Sequence, residues 1–123
     1  MTSPTQRATQ ILRQLRLQYD IVQSYNSHAQ KSKDLFNIFD LIVIVPRSHL
    51  LGIQVTTFDN RCARQDKIVA SPYIHGFLST GNKAHVWSYR ETKSQKGFVY
   101  DQISLVDGAL MIESIASPFD FVS

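Results

Sequence analysis

Residues 34–57, DLFNIFDLIVIVPRSHLLGIQVTT, decide how this chain folds. The run from Phe39 to Val45 is rich in β-branched side chains, Pro46-Arg47-Ser48 is turn-forming, and Leu50–Thr57 resumes the apolar pattern. The stretch therefore predicts a β-hairpin. Side chains alternate along a strand, so Ile38, Asp40, Ile42 and Ile44 share one face while Phe39, Leu41, Val43 and Val45 share the other. A strand apolar on both sides belongs inside a covered sheet, where an ionised Asp40 is costly unless it finds a donor, a cation or water. In the second strand Leu50, Gly52, Gln54 and Thr56 lie opposite Leu51, Ile53 and Val55. With Val45 paired to His49, Asp40 faces Gln54, and Asp40, Gln54 and Thr56 form a polar cluster on an apolar sheet.

Outside the hairpin, Ser3-Pro4-Thr5-Gln6 reads as a helix start with a capping box, followed by Ala8, Ile11, Leu12 and Leu15 at helical spacing. Tyr19–Tyr25 alternates like a strand. The polar, basic stretch 26–34 reads as a loop, with Lys31 and Lys33 either touching phosphates or solvated and Asp34 ordering the loop. Asp59 or Asn60 caps a helix carrying Arg61, Arg64 and Lys67 in one stripe, which is a solvated face or a phosphate-contacting one. Ser71-Pro72 ends this helix and starts another through Leu78, closed by Gly81. Lys83–Arg90, Phe98–Leu105 and Ala109–Ile115 read as strands, Asp107-Gly108 as a turn, and 116–123 as a tail. The face bearing His85, Trp87 and Tyr89 reads as core rather than as a base-stacking platform.

A chain of 123 residues predicts a single domain, 1–123. The element order predicts an α/β fold with a mixed central β-sheet flanked by helices. The longest apolar run, Leu41–Val45, is too short to span a bilayer, and the N-terminus lacks a signal-like apolar segment, so a soluble, cytoplasmic protein without membrane contact is expected. One cysteine, Cys62, excludes an internal disulfide, and His28, His49, His75 and His85 show no metal-ligand spacing. Charge is uneven: thirteen Lys or Arg against six acids up to Gly97, then four acids and no basic residue. A basic body with an acidic end fits a protein that meets a polyanion with one surface.

The pairing of Asp40 with Gln54-Val55-Thr56 resembles the PD-(D/E)xK nuclease superfamily, in which an Asp on one strand and a D/E-x-K on the next hold a divalent metal and a catalytic lysine. The wording from Asp34 to Thr57, with Trp87-Ser-Tyr-Arg90 later, also looks like small phage and prophage proteins associated with that superfamily. The resemblance implies a restriction-endonuclease-like or Holliday-junction-resolvase-like fold and a Mg²⁺- or Mn²⁺-dependent endonuclease acting on duplex or branched DNA, in which a homodimer would fit. It assigns Asp40, Gln54 and the Val55 carbonyl to the metal, and Asp40, Gln54, Thr56 and Lys67 to catalysis. Lys31, Lys33, Arg61, Arg64 and Lys67 are the expected nucleic-acid contacts, with Lys67 or Arg64, then Lys33, replacing the missing lysine's charge. Gln54 is neutral where the motif has an acid, and Thr56 stands where it has lysine. The first helix supplies Gln6, Gln10 or Gln14 where many of those nucleases have a glutamate. Two other readings follow from these departures: a nuclease-fold DNA-binding module that has lost cleavage, or an assembly factor without nucleic-acid chemistry.

Overall fold

The computed structural model describes residues 3–22, 24–26, 31–33, 35–36 and 38–119. They form an α/β domain with a mixed six-stranded sheet in the order β1-β4-β5-β6-β7-β8. The strands are β1 (Gln18–Ile21), β4 (Leu41–Val45), β5 (His49–Thr57), β6 (Lys83–Glu91), β7 (Lys96–Val106) and β8 (Ala109–Ile115). A separate two-stranded ribbon pairs β2 (Ser24–Asn26) with β3 (Lys31–Lys33), so part of the expected loop is extended. Helix α1 (Pro4–Gln14) precedes the sheet, and α2 (Arg61–Val69) and α3 (Ile74–Ser79) connect β5 to β6. This crossover is what allows β5 and β6 to run parallel; every other pair in the sheet is antiparallel.

Local signals set the ends of these elements. The Ser3 Oγ accepts from the Gln6 N–H and the Gln6 Oε1 accepts from the Ser3 N–H, which is the reciprocal capping box at the start of α1. The hairpin register is Val45↔His49 through Leu41↔Ile53, as the turn at Pro46 dictates. In that turn the Ser48 N–H returns to the Val45 carbonyl, and Arg47 adopts a left-handed φ of 63°. Asn60 sits at the N-cap of α2 without a capping hydrogen bond from its side chain, because a 3-10 turn at Phe58–Asn60 leads straight into the helix.

Each face of the sheet has its own core. On one face Leu41, Val43, Val45, Leu51, Ile53, Val55 and Trp87 meet Ala8 and Leu12 of α1. On the other, Ala84, Val86 and Ile103 meet Ile68 of α2 and Ile74 and Leu78 of α3. Two expectations change here. Phe39 does not share the Leu41 face; it joins the α2–α3 side with Ile38, because the chain bends at Asp40 before β4 begins. Nor is the chain past residue 115 simply a tail, since Phe119 is buried against Trp87 with ring centroids 5.8 Å apart.

The Phe39 ring occupies the space that β5 leaves at Gly52. A Cβ at Gly52 would stand 2.7 Å from three atoms of that ring. Phe39 is itself wedged against Phe77, centroid to centroid 4.9 Å, so the ring cannot retreat freely. Gly52→Ala is therefore expected to cost ~1–3 kcal/mol in urea unfolding. Phe39→Leu on the same background should cost less than the sum of the two single changes, since it makes room for the new methyl group. Strict additivity would show that the ring is not what excludes a side chain here.

Candidate functional site

The polar cluster expected from the hairpin lies on the α2–α3 face. The bend at Asp40 sends its backbone to two neighbours: the N–H donates to the Ile53 carbonyl and the carbonyl accepts from the Val22 N–H, 2.9 and 2.8 Å. Its side chain, only 3% exposed, lies beside Gln54. One oxygen, Oδ2, accepts from the Gln54 amide at 2.8 Å and from the Val55 backbone N–H at 2.9 Å. A strand residue points its N–H and C=O toward the same neighbour, so the Val55 carbonyl also faces the Asp40 side. Thr56 is buried on the Gln54 face and pairs in register with Ser88. Thus Asp40 and Gln54 meet as the sequence predicts, and Thr56 lies on the same face as Gln54.

Their chemistry is that of a hydrogen-bonded strut. A carboxylate only accepts, so Gln54 turns its donor end toward Asp40, leaving its buried Oε1 without a hydrogen-bond partner. Magnesium asks for near-octahedral oxygen ligation, supplied by carboxylates and water. No group of three His, Cys, Asp or Glu side chains gathers among the described residues. Asp40 is the one acid in the cluster, and Gln54 would have to reverse its amide and abandon Oδ2 to become a ligand. These residues do not fit a resident Mg²⁺ or Mn²⁺. The glutamines of α1 bring no further ligand: Gln6 is committed to the capping box, Gln10 and Gln14 are exposed, and α1 covers the opposite face.

The basic residues divide. Arg61 turns inward to Asp101 on β7, with Nε to Oδ2 at 2.6 Å and Nη2 to Oδ1 at 2.7 Å. Ser114 of β8 closes the cluster by donating to Asp101 and accepting from Arg61. Burial pushes the fully enclosed Asp101 carboxyl up, but hydrogen bonds from Arg61 and Ser114, the Arg61 charge and Gln65 more than offset it and hold it below its ordinary value. The bond to Asp101 likewise raises Arg61. Nothing in the sequence spacing links these residues, which lie 40 positions apart. The available signal was an aspartate in the middle of an apolar strand, the same signal that Asp40 gives. Arg64 and Lys67 remain half-buried on α2, Arg64 with a buried Nε that has no hydrogen-bond partner. Lys31 and Lys33 lie in β3, and their side chains, like Asp34, fall outside the described residues.

No family model matches the sequence, and no curated protein or solved structure matches it.

A buried histidine lies on the far face. His85 is almost fully enclosed, its Nδ1 accepting from Trp87 Nε1 at 3.2 Å, and burial drives its pKa down to about 4. Between its ordinary 6.5 and about 4 the unfolded chain takes a proton that the native state refuses. This contribution to stability is full above 6.5 and disappears as pH falls through that window, ~3 kcal/mol in all. His49, also lowered by burial and then by Lys83, acts in the same sense. Melting followed from pH 8 to pH 4 should show this loss, and His85→Gln should flatten most of it. The Asp101 contribution is lost only below the ordinary carboxylate range. Separately, Arg61→Ala strands a buried carboxylate and is expected to cost roughly 3 kcal/mol at pH 7, with Asp101→Asn restoring part of it in the double variant. A loss below ~0.5 kcal/mol would identify Arg61 as an ordinary surface side chain.

Proposed function

We propose that this domain is a nucleic-acid-binding module on a restriction-endonuclease-like scaffold, with the metal-binding pair of a nuclease replaced by a hydrogen-bonded strut. The observation that carries the reading is the Asp40 carboxylate, which accepts from the Gln54 amide and the Val55 N–H. Two features support the scaffold: an aspartate and a Q-x-T segment meet on adjacent strands, and a helical crossover joins the second of them to a parallel partner. The basic body supports the ligand, thirteen cations against six acids up to Gly97. Arg64 and Lys67 contact the phosphate backbone in this reading, while Arg61 holds α2 to the sheet.

Fluorescence anisotropy with labelled duplex and four-way-junction DNA across a salt series tests it. Affinity should fall with a log–log slope of ~0.9 per neutralised phosphate, and Arg64→Ala with Lys67→Ala should reduce that slope by up to ~2. No binding at low salt would favour an assembly factor instead. The strut makes a separate prediction. Mn²⁺ should leave the melting temperature of the wild type unchanged. Gln54→Glu sets two carboxylates side by side and should destabilise the protein without metal, yet gain stability when Mn²⁺ is added. Junction or duplex cleavage by the wild type in Mn²⁺, abolished by Asp40→Ala, would overturn the non-cleaving reading.

A further inference from the structure

Beyond Thr57 the chain turns through Phe58–Asn60, and the parallel neighbour β6 ends at Glu91. Between these strand ends and the first turns of α1 opens a cavity of about 580 Å³, lined by Pro4, Arg7, Phe58, Tyr89 and Arg90. Its size falls within the range of small-ligand sites. Its place is also one at which α/β sheets bind ligands, outside the carboxyl ends of parallel strands.

Two arginines in this cavity lie over aromatic rings. The Arg7 guanidinium carbon sits 4.4 Å from the centroid of Tyr89, and that of Arg90 sits 3.9 Å from the centroid of Phe58. A guanidinium over a ring is attracted to its π-face and held in one orientation while its N–H groups stay able to donate, and such a fork suits phosphate oxygens. Neither arginine has a carboxylate at ion-pair distance among the described residues; Arg90 donates to the neutral Gln95 at 2.9 Å. Of the two acids on the lining, Glu91 pairs with Lys96 at 3.6 Å and Asp59 is exposed, free to accept from a sugar hydroxyl. Pro4 and the parts of Phe58 and Tyr89 that Arg7, Arg90 and, at 5.6 Å, Arg61 do not cover supply an apolar wall, which a bare inorganic anion would leave unused and a nucleobase would contact.

We propose that this cavity binds a nucleoside monophosphate group, its phosphate on Arg7 and Arg90 and its base against the Phe58–Tyr89 wall. The group can be a free mononucleotide or the 5′-phosphorylated end of a strand. As a strand-end site it rests on the nucleic-acid reading above; as a mononucleotide site it stands without it.

Isothermal titration of the full chain with 5′-AMP, adenosine, inorganic phosphate, and 5′-phosphorylated or 5′-hydroxyl single-stranded oligonucleotides tests the proposal. AMP or the phosphorylated oligonucleotide should bind at least about tenfold more tightly than adenosine or phosphate. Arg7→Gln and Arg90→Gln should each weaken that binding by about tenfold, the scale of a lost charge-assisted hydrogen bond. Arg13→Gln, an exposed change on the same helix, should not alter it. Phe58→Leu keeps apolar bulk and should weaken AMP more than phosphate. A phosphorylated oligonucleotide preferred over AMP assigns the site to strand ends, and equal affinity assigns it to the mononucleotide. AMP and the phosphorylated oligonucleotide both binding no better than inorganic phosphate, or binding unchanged in both arginine variants with unaltered melting temperatures, overturns the pocket. If oligonucleotides then still bind in a salt-sensitive way whatever their 5′ end, the nucleic-acid reading survives its loss; if AMP binds and no oligonucleotide does, the pocket stands and that reading falls.

Discussion

Strand β5 is nine residues long and its antiparallel neighbour β4 only five, and the fold depends on how that mismatch is closed. Past Ile53 the β4-facing N–H of Val55 has no strand residue opposite it, and a buried donor left unmade would cost ~1–3 kcal/mol. The Asp40 carboxylate fills the gap, standing in for a backbone carbonyl. The bend that puts it there also turns Phe39 over Gly52, so one local departure from strand geometry seals both the end of the ladder and a hole in the core. With β5 held extended to Thr57, Phe58 reaches the cavity that Tyr89 and Arg90, at the end of β6, also line.

A second buried carboxylate lies on the same row of the sheet, since Gln54, Val86, Asp101 and Ser114 are lateral neighbours in the observed registers. The Gln54 amide and the Val55 N–H both reach one oxygen of Asp40, Oδ2, whereas both oxygens of Asp101 accept from the Arg61 guanidinium, and the difference has a mechanical consequence. Arg61 is the first residue of α2, where the helix dipole disfavours a cation by several tenths of a kcal/mol. The bidentate bond to Asp101 offsets that penalty and fixes the start of the helix, while Ile68 fixes its other end in the apolar core. Helix α2 is therefore attached by charge at one end and by packing at the other.

The hairpin, its register and the meeting of Asp40 with Gln54 were legible because they depend on period-two alternation and on a turn at Pro46, both local. The capping box of α1 and the two C-terminal hairpin strands were legible for the same reason. What escaped was set by distance or by a break in the period. The bend at Asp40 moved Phe39 to the other face, and alternation carries no information about where it fails. Arg61 reads as one member of a basic stripe until Asp101 is folded beneath it, and Phe119 reads as tail until Trp87 offers it a surface. The Arg7–Tyr89 and Arg90–Phe58 stacks join a helix, a turn and a strand far apart in sequence, and no spacing rule connects them.

Glutamine at position 54 explains why this site holds together on its own terms. Two carboxylates at the 2.8 Å separation of Asp40 and Gln54 repel strongly in a buried setting unless a cation or a shared proton lies between them. Replacing one of them by an amide removes that requirement, because its N–H₂ supplies the positive end of a dipole at the place where the cation would sit. The same replacement leaves Oε1 buried and unsatisfied, a cost that a pair optimised for stability alone would avoid. In the proposed reading that residual cost belongs to a geometry built around a cation and kept by a hydrogen bond: strand positions stay as the metal would need them, while one of the two charges that would hold a metal is gone.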